Sequence, residues 1–359
     1  MGFCADIEGM RSYINDPHPN MGDINEKSFC RTKNICYNII KDVRIRRNAF
    51  ANKDSSNFLT VLNYHQISDS GYSSIHPIVP ATPKENFRKQ VRLLRDLEYS
   101  FISLKDLDTI SSLPHKSCLI TFDDGYKSVF EHALPIMKEE NISGAIFITS
   151  SFIDSNRLTN YEKLVLLIHK VTSSNSDLIE LFELYQKLVQ RLDCAPFTGI
   201  SIEKLRYHFR ACLTEENRQK IIDDLCEAFF FSIEGSFIEN LYLTWNELRK
   251  MSSHFEFGSH SANHPILGTL HNSRLSEEIS TSKSLIEERL GNIKWFAYPF
   301  GYRSSFNSET IDRLKKHGFI GSFTSFPANN YLPIDDFFRI CRFSISNESV
   351  EEFLFKIRG

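Results

Sequence analysis

Two carboxylates, Asp123 and Asp124, stand side by side after the apolar run Ser117-Cys-Leu-Ile-Thr-Phe122 and just before Gly125. Adjacent carboxylates at a strand end repel each other unless a positive group lies beside or between them. Gly125 permits the tight turn that could aim both at one centre. A plain alternative is that one Asp caps the helix expected over about 127–140, which needs only one carboxylate. A second group is Gly258-Ser-His260-Ser-Ala-Asn-His264-Pro265, directly after the strand-like Phe255-Glu-Phe-Gly-Ser259. Histidines at i and i+4 share one face of a helical turn and can share a metal ion; the alternative is a pair of surface histidines on a loop. Ser261 rather than Glu follows His260, which excludes the His-Glu-x-x-His metalloprotease pattern. A third group, Phe296-Ala-Tyr-Pro-Phe-Gly301, has Pro299 and Gly301 at a strand end. The turn they favour could aim a backbone N–H, such as that of Phe300, at a developing oxyanion; the alternative is an ordinary turn.

These groups need elements to hold them together. From Phe58 onward, strand-like runs alternate with amphipathic helical ones: Phe58–His65, 117–122, 144–149, 255–259, 295–298, 319–324 and 338–345 read as strands. Thr82-Pro-Lys-Glu85 and Thr244-Trp-Asn-Glu247 read as capping boxes, and Gly291 and Gly318 as helix stops. Seven or eight strand–helix units imply parallel strands with crossover helices. In such a fold the strand C-termini converge on one face, so distant segments can share one site. The fold class expected is therefore α/β, with a closed barrel favoured over a single mononucleotide-binding half. Residues 156–243 break the rhythm with helical periodicity and read as three or four helices inserted between two barrel strands. Their plain role is a packed side-subdomain, their functional one a lid or substrate wall. Residues 1–57 are polar and weakly patterned and read as an N-terminal extension.

Composition sets the outer limits. The 359 residues are 41% hydrophobic and 24% charged, enough for a large core and incompatible with wholesale disorder. Against 45 acidic residues stand 42 basic ones, a net charge of −3, so no electrostatic footprint for nucleic acid or an anionic membrane exists. Eight cysteines include no Cys-x-x-Cys, and no apolar stretch is long enough to span a bilayer. No basic segment leads into an apolar one near Met1, and a cytoplasmic location is expected.

Taken together, Thr121-Phe-Asp-Asp-Gly125, His260-Ser-Ala-Asn-His264 and Ala297-Tyr-Pro-Phe-Gly301 resemble the motifs of the polysaccharide deacetylase family (NodB homology, carbohydrate esterase 4). The resemblance covers roughly residues 58–155 and 244–358. It implies a distorted (β/α)7 barrel, with residues 58–155 and 244–359 as catalytic barrel and 156–243 as helical insertion. It also implies Asp124, His260 and His264 as ligands of a divalent metal, Zn2+ first, with Co2+, Ni2+ or Fe2+ also suited. Asp123 matches the catalytic base, and Phe300 the residue whose N–H holds the oxyanion.

Two positions depart from the pattern. The family's Arg in the third motif is Ala297 here, so another cation must orient Asp123 or the base is tuned differently. The C-terminal Phe338-Arg-Ile-Cys-Arg-Phe-Ser-Ile345 lacks the Leu-x-His that usually supplies a general acid. Leu62-Asn-Tyr-His65-Gln-Ile67 resembles a segment of a permuted subgroup that includes the poly-N-acetylglucosamine deacetylases, which offers His65 instead. The alternative for His65 is a buried histidine bonded to backbone. Tyr126, Tyr298 and Pro299 are candidates for contact with the sugar.

The function expected is metal-dependent removal of an N-acetyl or other acyl group from an amino-sugar substrate, releasing acetate and an amine. Alternatives are a deacylase of a small amide, ester or nucleotide sugar, a sugar-binding homologue with impaired catalysis, and a non-haem iron oxygenase, which the parallel α/β alternation fits poorly. Oligomeric state is not legible.

Overall fold

The computed structural model describes residues 57–69, 81–155, 157–173, 178–232 and 241–358. The N-terminal extension, apart from Asn57, lies outside them.

Seven parallel segments form the frame: β1 (Phe58–Tyr64), β2 (Lys116–Asp124), β3 (Gly144–Ile148), β4 (Phe255–Ser259), β5 (Trp295–Ala297), β6 (Gly321–Phe323) and β7 (Phe343–Ser344). Each pairs with the next from β1 to β6. Phe323 then bridges to Ile340, and three residues on, Phe343 pairs with Leu62 of β1. The ring is therefore completed through residues 340–344. It is uneven: β1 and β2 pair over seven residues, whereas β4 and β5 share the single pair Ser259↔Phe296. The expected (β/α)-barrel is the fold observed, with the 338–345 strand shortened to β7 and preceded by a turn of 3-10 helix at Phe337–Arg339.

The two-residue period of a strand sorts the barrel's side chains. Leu59, Val61, Leu119, Ala145, Phe147, Trp295, Ala297, Phe323 and Ile340 pack together as the interior. The alternate residues Leu62, Tyr64, Ile120, Phe122, Ile146, Ile148 and Phe296 pack with the surrounding helices. Those helices include α1 (Lys84–Asp96), α2 (Leu134–Glu139) and others further along the chain. Between β3 and β4 run α3 (Asn160–Ser173), α4 (Leu178–Arg191), α5 (Ile202–Ala211) and α6 (Glu215–Ala228), which share a core of their own around Leu164, Leu181, Tyr185, Phe209 and Ile221. α7 (Trp245–Met251) begins with the expected Thr244/Glu247 capping box. α8 (Asn272–Leu290), α9 (Ser308–Lys316) and α10 (Val350–Arg358) complete the chain, with Gly291 and Gly318 at positive φ after α8 and α9.

The other capping box does not form. Residues Ala81–Pro83 pair as a short strand with Gln66–Ser68, and the Thr82 hydroxyl donates to the Ser346 carbonyl at 2.7 Å instead of capping α1. Sheet pairing has taken the residue that local sequence marks for a helix start. No described helix is long and apolar enough to cross a membrane.

Candidate metal and catalytic site

Asp123 and Asp124 end β2. Asp123 has the same parity as Leu119 and Thr121 and faces the interior. Continued alternation would send Asp124 to the opposite face, but its φ is 72°, a left-handed conformation that costs a non-glycine residue of order 1–3 kcal/mol. That twist turns the second carboxylate back toward the strand ends. Gly125 follows with φ +89°, where a Cβ would also meet Ile153 Cδ1 at 2.9 Å.

The two histidines meet these carboxylates, though not on the helical turn their spacing suggests. Residues 260–264 form a loop, with Ser261 at φ 66° and His264 at φ 57°. The Ser261 hydroxyl accepts the His264 N–H at 3.0 Å. Glu278 of α8 clamps the loop from outside, accepting the N–H groups of Ala262 and Asn263 at 3.1 and 2.9 Å and the Asn263 amide at 2.8 Å.

One ligand atom each from Asp124, His260 and His264 lie within 4.8 Å of one another. Asp124 Oδ1 is 3.6 Å from His260 Nε2 and 3.5 Å from His264 Nε2, too long for hydrogen bonds. Donors about 2.0–2.2 Å from one tetrahedral ion are separated by about this much. Oδ1 is also a buried oxygen with no hydrogen-bond partner, an uncommon state for a native polar atom. His260 Nδ1–H donates to the Ala297 carbonyl at 2.7 Å, which leaves the Nε2 lone pair facing Asp124. Burial lowers both imidazoles, His260 to about 4 and His264 well below its usual value, so both are neutral, as metal ligands must be. Burial, reinforced by the neighbouring Asp123 and Glu162, pushes Asp124 well above the usual carboxylate range. An orphaned oxygen, two neutral imidazoles and a carboxyl short of positive charge fit a divalent cation.

Asp123 has the opposite surroundings. Arg342 spans it with two bonds, Nη1 to Oδ1 and Nη2 to Oδ2, both 2.8 Å, and Asn63 Nδ2 donates to Oδ2 at 2.9 Å. Burial raises this carboxyl, but the charge of Arg342, followed by His260, outweighs it and holds it well below the ordinary range. Arg342 is wholly buried, lies over the rings of Phe147 and Phe323, and also donates to the Thr324 carbonyl and the Thr121 hydroxyl. It replaces the cation missing at Ala297. Both positions face the barrel interior, so the small side chain on β5 is matched by a long one arriving beside β7. The sequence carried a signal for this residue: a charge at the parity of Ile340 within an apolar strand. Asn63, polar at the parity of Leu59 and Val61, was the same kind of signal.

His65 leaves β1 on the inward parity and is half-buried. Burial lowers its pKa while the charge of Asp123 opposes this, and its own charge is felt at His260 and His264. Phe300 has φ 63°, and its N–H donates to no backbone carbonyl among the described residues. Its ring lies 4.6 Å from that of His264.

Three expected sugar contacts are corrected. Tyr126 is buried, stacked on Tyr242, and donates to Glu162 at 3.1 Å. Tyr298 has the outward parity of Phe296, stacks on Phe306, and its hydroxyl donates to the Phe338 carbonyl at 3.0 Å. Pro299 is buried, and its carbonyl accepts the Gly301 N–H at 2.8 Å. All three are buried, and the two tyrosine hydroxyls are taken up by partners within the protein.

Among known proteins, the family model for polysaccharide deacetylase matches residues 111–191 and 222–321. Over 325 residues the chain is 22% identical to the poly-beta-1,6-N-acetyl-D-glucosamine N-deacetylase of Staphylococcus epidermidis, covering 85% of this chain and 86% of that one. It is 28% identical over 130 residues to YxkH of Bacillus subtilis, provisionally named a polysaccharide deacetylase; that match spans 35% of this chain and 44% of the relative. Among solved structures, the Streptococcus pyogenes deacetylase PplD in complex with acetate aligns with a TM-score of 0.52 at 15% identity, covering 83% of this chain and 97% of that one. A de-N-acetylase from Aggregatibacter actinomycetemcomitans aligns at 0.51 with 18% identity, covering 83% and 100%. These structural likenesses concern the fold. With the family model matching half of its length, the chain belongs to the polysaccharide deacetylase family.

Proposed function

We propose that this protein is a metal-dependent carbohydrate N-deacetylase, hydrolysing the acetamide of an amino-sugar substrate to acetate and a free amine. The observation that carries this reading is the convergence of Asp124, His260 and His264 within 4.8 Å beside a carboxylate that Arg342 keeps ionised. Asp124, His260 and His264 would hold a divalent cation, Zn2+ in the first instance, with Co2+, Ni2+ and Fe2+ suited to the same donors. Bound there, the cation supplies Lewis-acid activation of water and of the amide carbonyl.

The remaining work belongs to the protein's own groups. Asp123 accepts the proton of the attacking water, its orientation fixed by the Arg342 fork and Asn63. The Phe300 N–H, which has no backbone acceptor among the described residues, donates to the oxygen that gains charge, a contribution of about 3 kcal/mol for a well-placed donor. His65, which follows β1 next to the Asp123 strand, delivers a proton to the departing amine. Arg342 supplies the cation whose absence at Ala297 motivated the impaired-homologue reading, which favours an active enzyme. In this reading residues 58–155 and 244–359 form the catalytic unit, and 156–243 form an inserted wall beside it.

The test is metal content and acetate release from acetylated mono-, oligo- and nucleotide sugars. Asp124→Ala and His264→Ala are expected to lose both bound metal and acetate release. Full activity in either variant would overturn the ligand assignment.

A further inference from the structure

The helical insertion places a cluster of arginines next to the site. Arg206 and Arg210 lie one turn apart on α5, and Arg218 projects from α6. The Arg210 guanidinium sits 5.3 Å from the ring centre of Phe300, 5.7 Å from Tyr161 and 5.2 Å from Tyr302. Phe300 in turn touches the ring of His264. Arg210 is thus one aromatic side chain away from a candidate metal ligand, on the wall a sugar would pass.

Arg218 is only 3% exposed. Its Nη1 donates to the Arg210 carbonyl at 3.2 Å, and its Nε lies 3.1 Å from Glu215 Oε2 without hydrogen-bond geometry. Nε and Nη2 of Arg218 have no hydrogen-bond partner, and neither does Nε of Arg206 or Arg210. Glu215 is the one carboxylate paired with any of these arginines among the described residues, and its other oxygen already accepts from Asn160 Nδ2 at 2.6 Å. Glu215 thus serves Arg218, and no carboxylate among the described residues pairs with Arg206 or Arg210. Buried N–H donors of a cation are costly when unpaired. A neutral glycan wall needs only aromatic faces, and here those faces are covered by a cation. The planar fork of arginine matches the paired oxygens of a phosphoryl or carboxylate group.

Resting on the deacetylase reading, we propose that the substrate carries a fixed oxyanion, a phosphoryl or carboxylate group near the acetamido sugar, which Arg210 and Arg218 bind. The insertion then acts as a specificity element that selects charged amino sugars over neutral chains.

The experiment compares three substrates of the metal-loaded protein: N-acetylglucosamine 1-phosphate, N-acetylglucosaminuronic acid and neutral N-acetylglucosamine oligomers. Acetate release is measured in wild type, Arg210→Gln and Arg210→Lys, with binding of inorganic phosphate followed by calorimetry. The expected result is a preference for one of the charged substrates, which identifies the oxyanion. In Arg210→Gln that preference, as the ratio of charged to neutral kcat/KM, falls about tenfold or more, chiefly through KM, and Arg210→Lys recovers part of it. Phosphate affinity falls in parallel. Equal losses on charged and neutral substrates, or phosphate affinity unchanged in Arg210→Gln, would overturn the proposal. If no substrate releases acetate while phosphate binding still depends on Arg210, the oxyanion site stands and the deacetylase reading is what fails.

Discussion

Asp123 and Asp124 are adjacent, both at least nine-tenths buried, and surrounded in opposite ways. The Asp123 side of the strand end is saturated: three hydrogen bonds and a guanidinium fix its carboxylate as an anion. The Asp124 side is left short: an oxygen without a partner, two neutral imidazoles and, among the described residues, no cation paired with it. Burial alone would raise both carboxyls. The difference is that the protein supplies a cation of its own to Asp123 and leaves an Asp124 oxygen facing two neutral imidazoles, the contrast on which the proposed base and metal-ligand roles rest. The positive φ of Asp124 is what separates the two environments by a single residue.

Breaking the unsaturated side carries the largest expected effect. Asp124→Asn keeps the shape and removes the charge. It is expected to abolish metal retention and reduce acetate release by about a thousandfold or more, since the Lewis acid contributes several kcal/mol; metal analysis with an acetate assay checks both.

Breaking the saturated side comes next. Arg342→Ala leaves a buried carboxylate without its counter-charge and is expected to cost about 3–5 kcal/mol of stability, measured by denaturant unfolding. Because Arg342 depresses the Asp123 pKa in the folded state, the pair stabilises the fold fully above the unfolded carboxyl value of about 3.9. That contribution fades as pH falls through the folded value. Arg342→Lys preserves charge but not the fork. Its acid limb of activity is expected to move to higher pH than wild type; an unmoved limb would remove Arg342 as a positioning residue for the base.

Asn63→Ala sharpens the comparison by taking one bond from Asp123 and leaving Arg342. A loss of about tenfold in kcat with little change in KM is expected. The smallest effect is expected from Glu162→Gln. Glu162 lies in α3, accepts from Tyr126 and Tyr242, and adds negative charge near Asp124. Neutralising it is expected to weaken metal binding a few-fold, read by competition with a chelator, without changing the metal-to-protein ratio at saturation.

Much of this site was legible because its chemistry is encoded locally. The carboxylate pair, the His260/His264 spacing and the Phe300 turn each sit at the end of a strand that period-2 patterning reveals. Strand ends of a parallel fold meet at one face. Three things were not legible. The loop at 260–264 uses left-handed residues where spacing alone suggests a helical turn, because Glu278 and Ser261 supply the bonds that a helix would have made internally. Tyr126 and Tyr298 looked like glycan contacts from their position beside the motifs, yet buried partners, and for Tyr298 outward parity, assign them to packing. Arg342 lies 219 residues from Asp123, and no local pattern joins them.

The amino-acid sequence determined which residues carry chemistry and that a parallel α/β frame presents them, since side-chain type and hydrophobic period are local properties. Only the tertiary structure decided which cation serves Asp123 and that an Asp124 oxygen is left without a hydrogen-bond partner. It also decided that Arg210 of the insertion lies over Phe300, whose ring meets that of His264. Those choices depend on ring closure through residues 340–344 and on helices packed across the chain, and distance in space is not written in spacing along it.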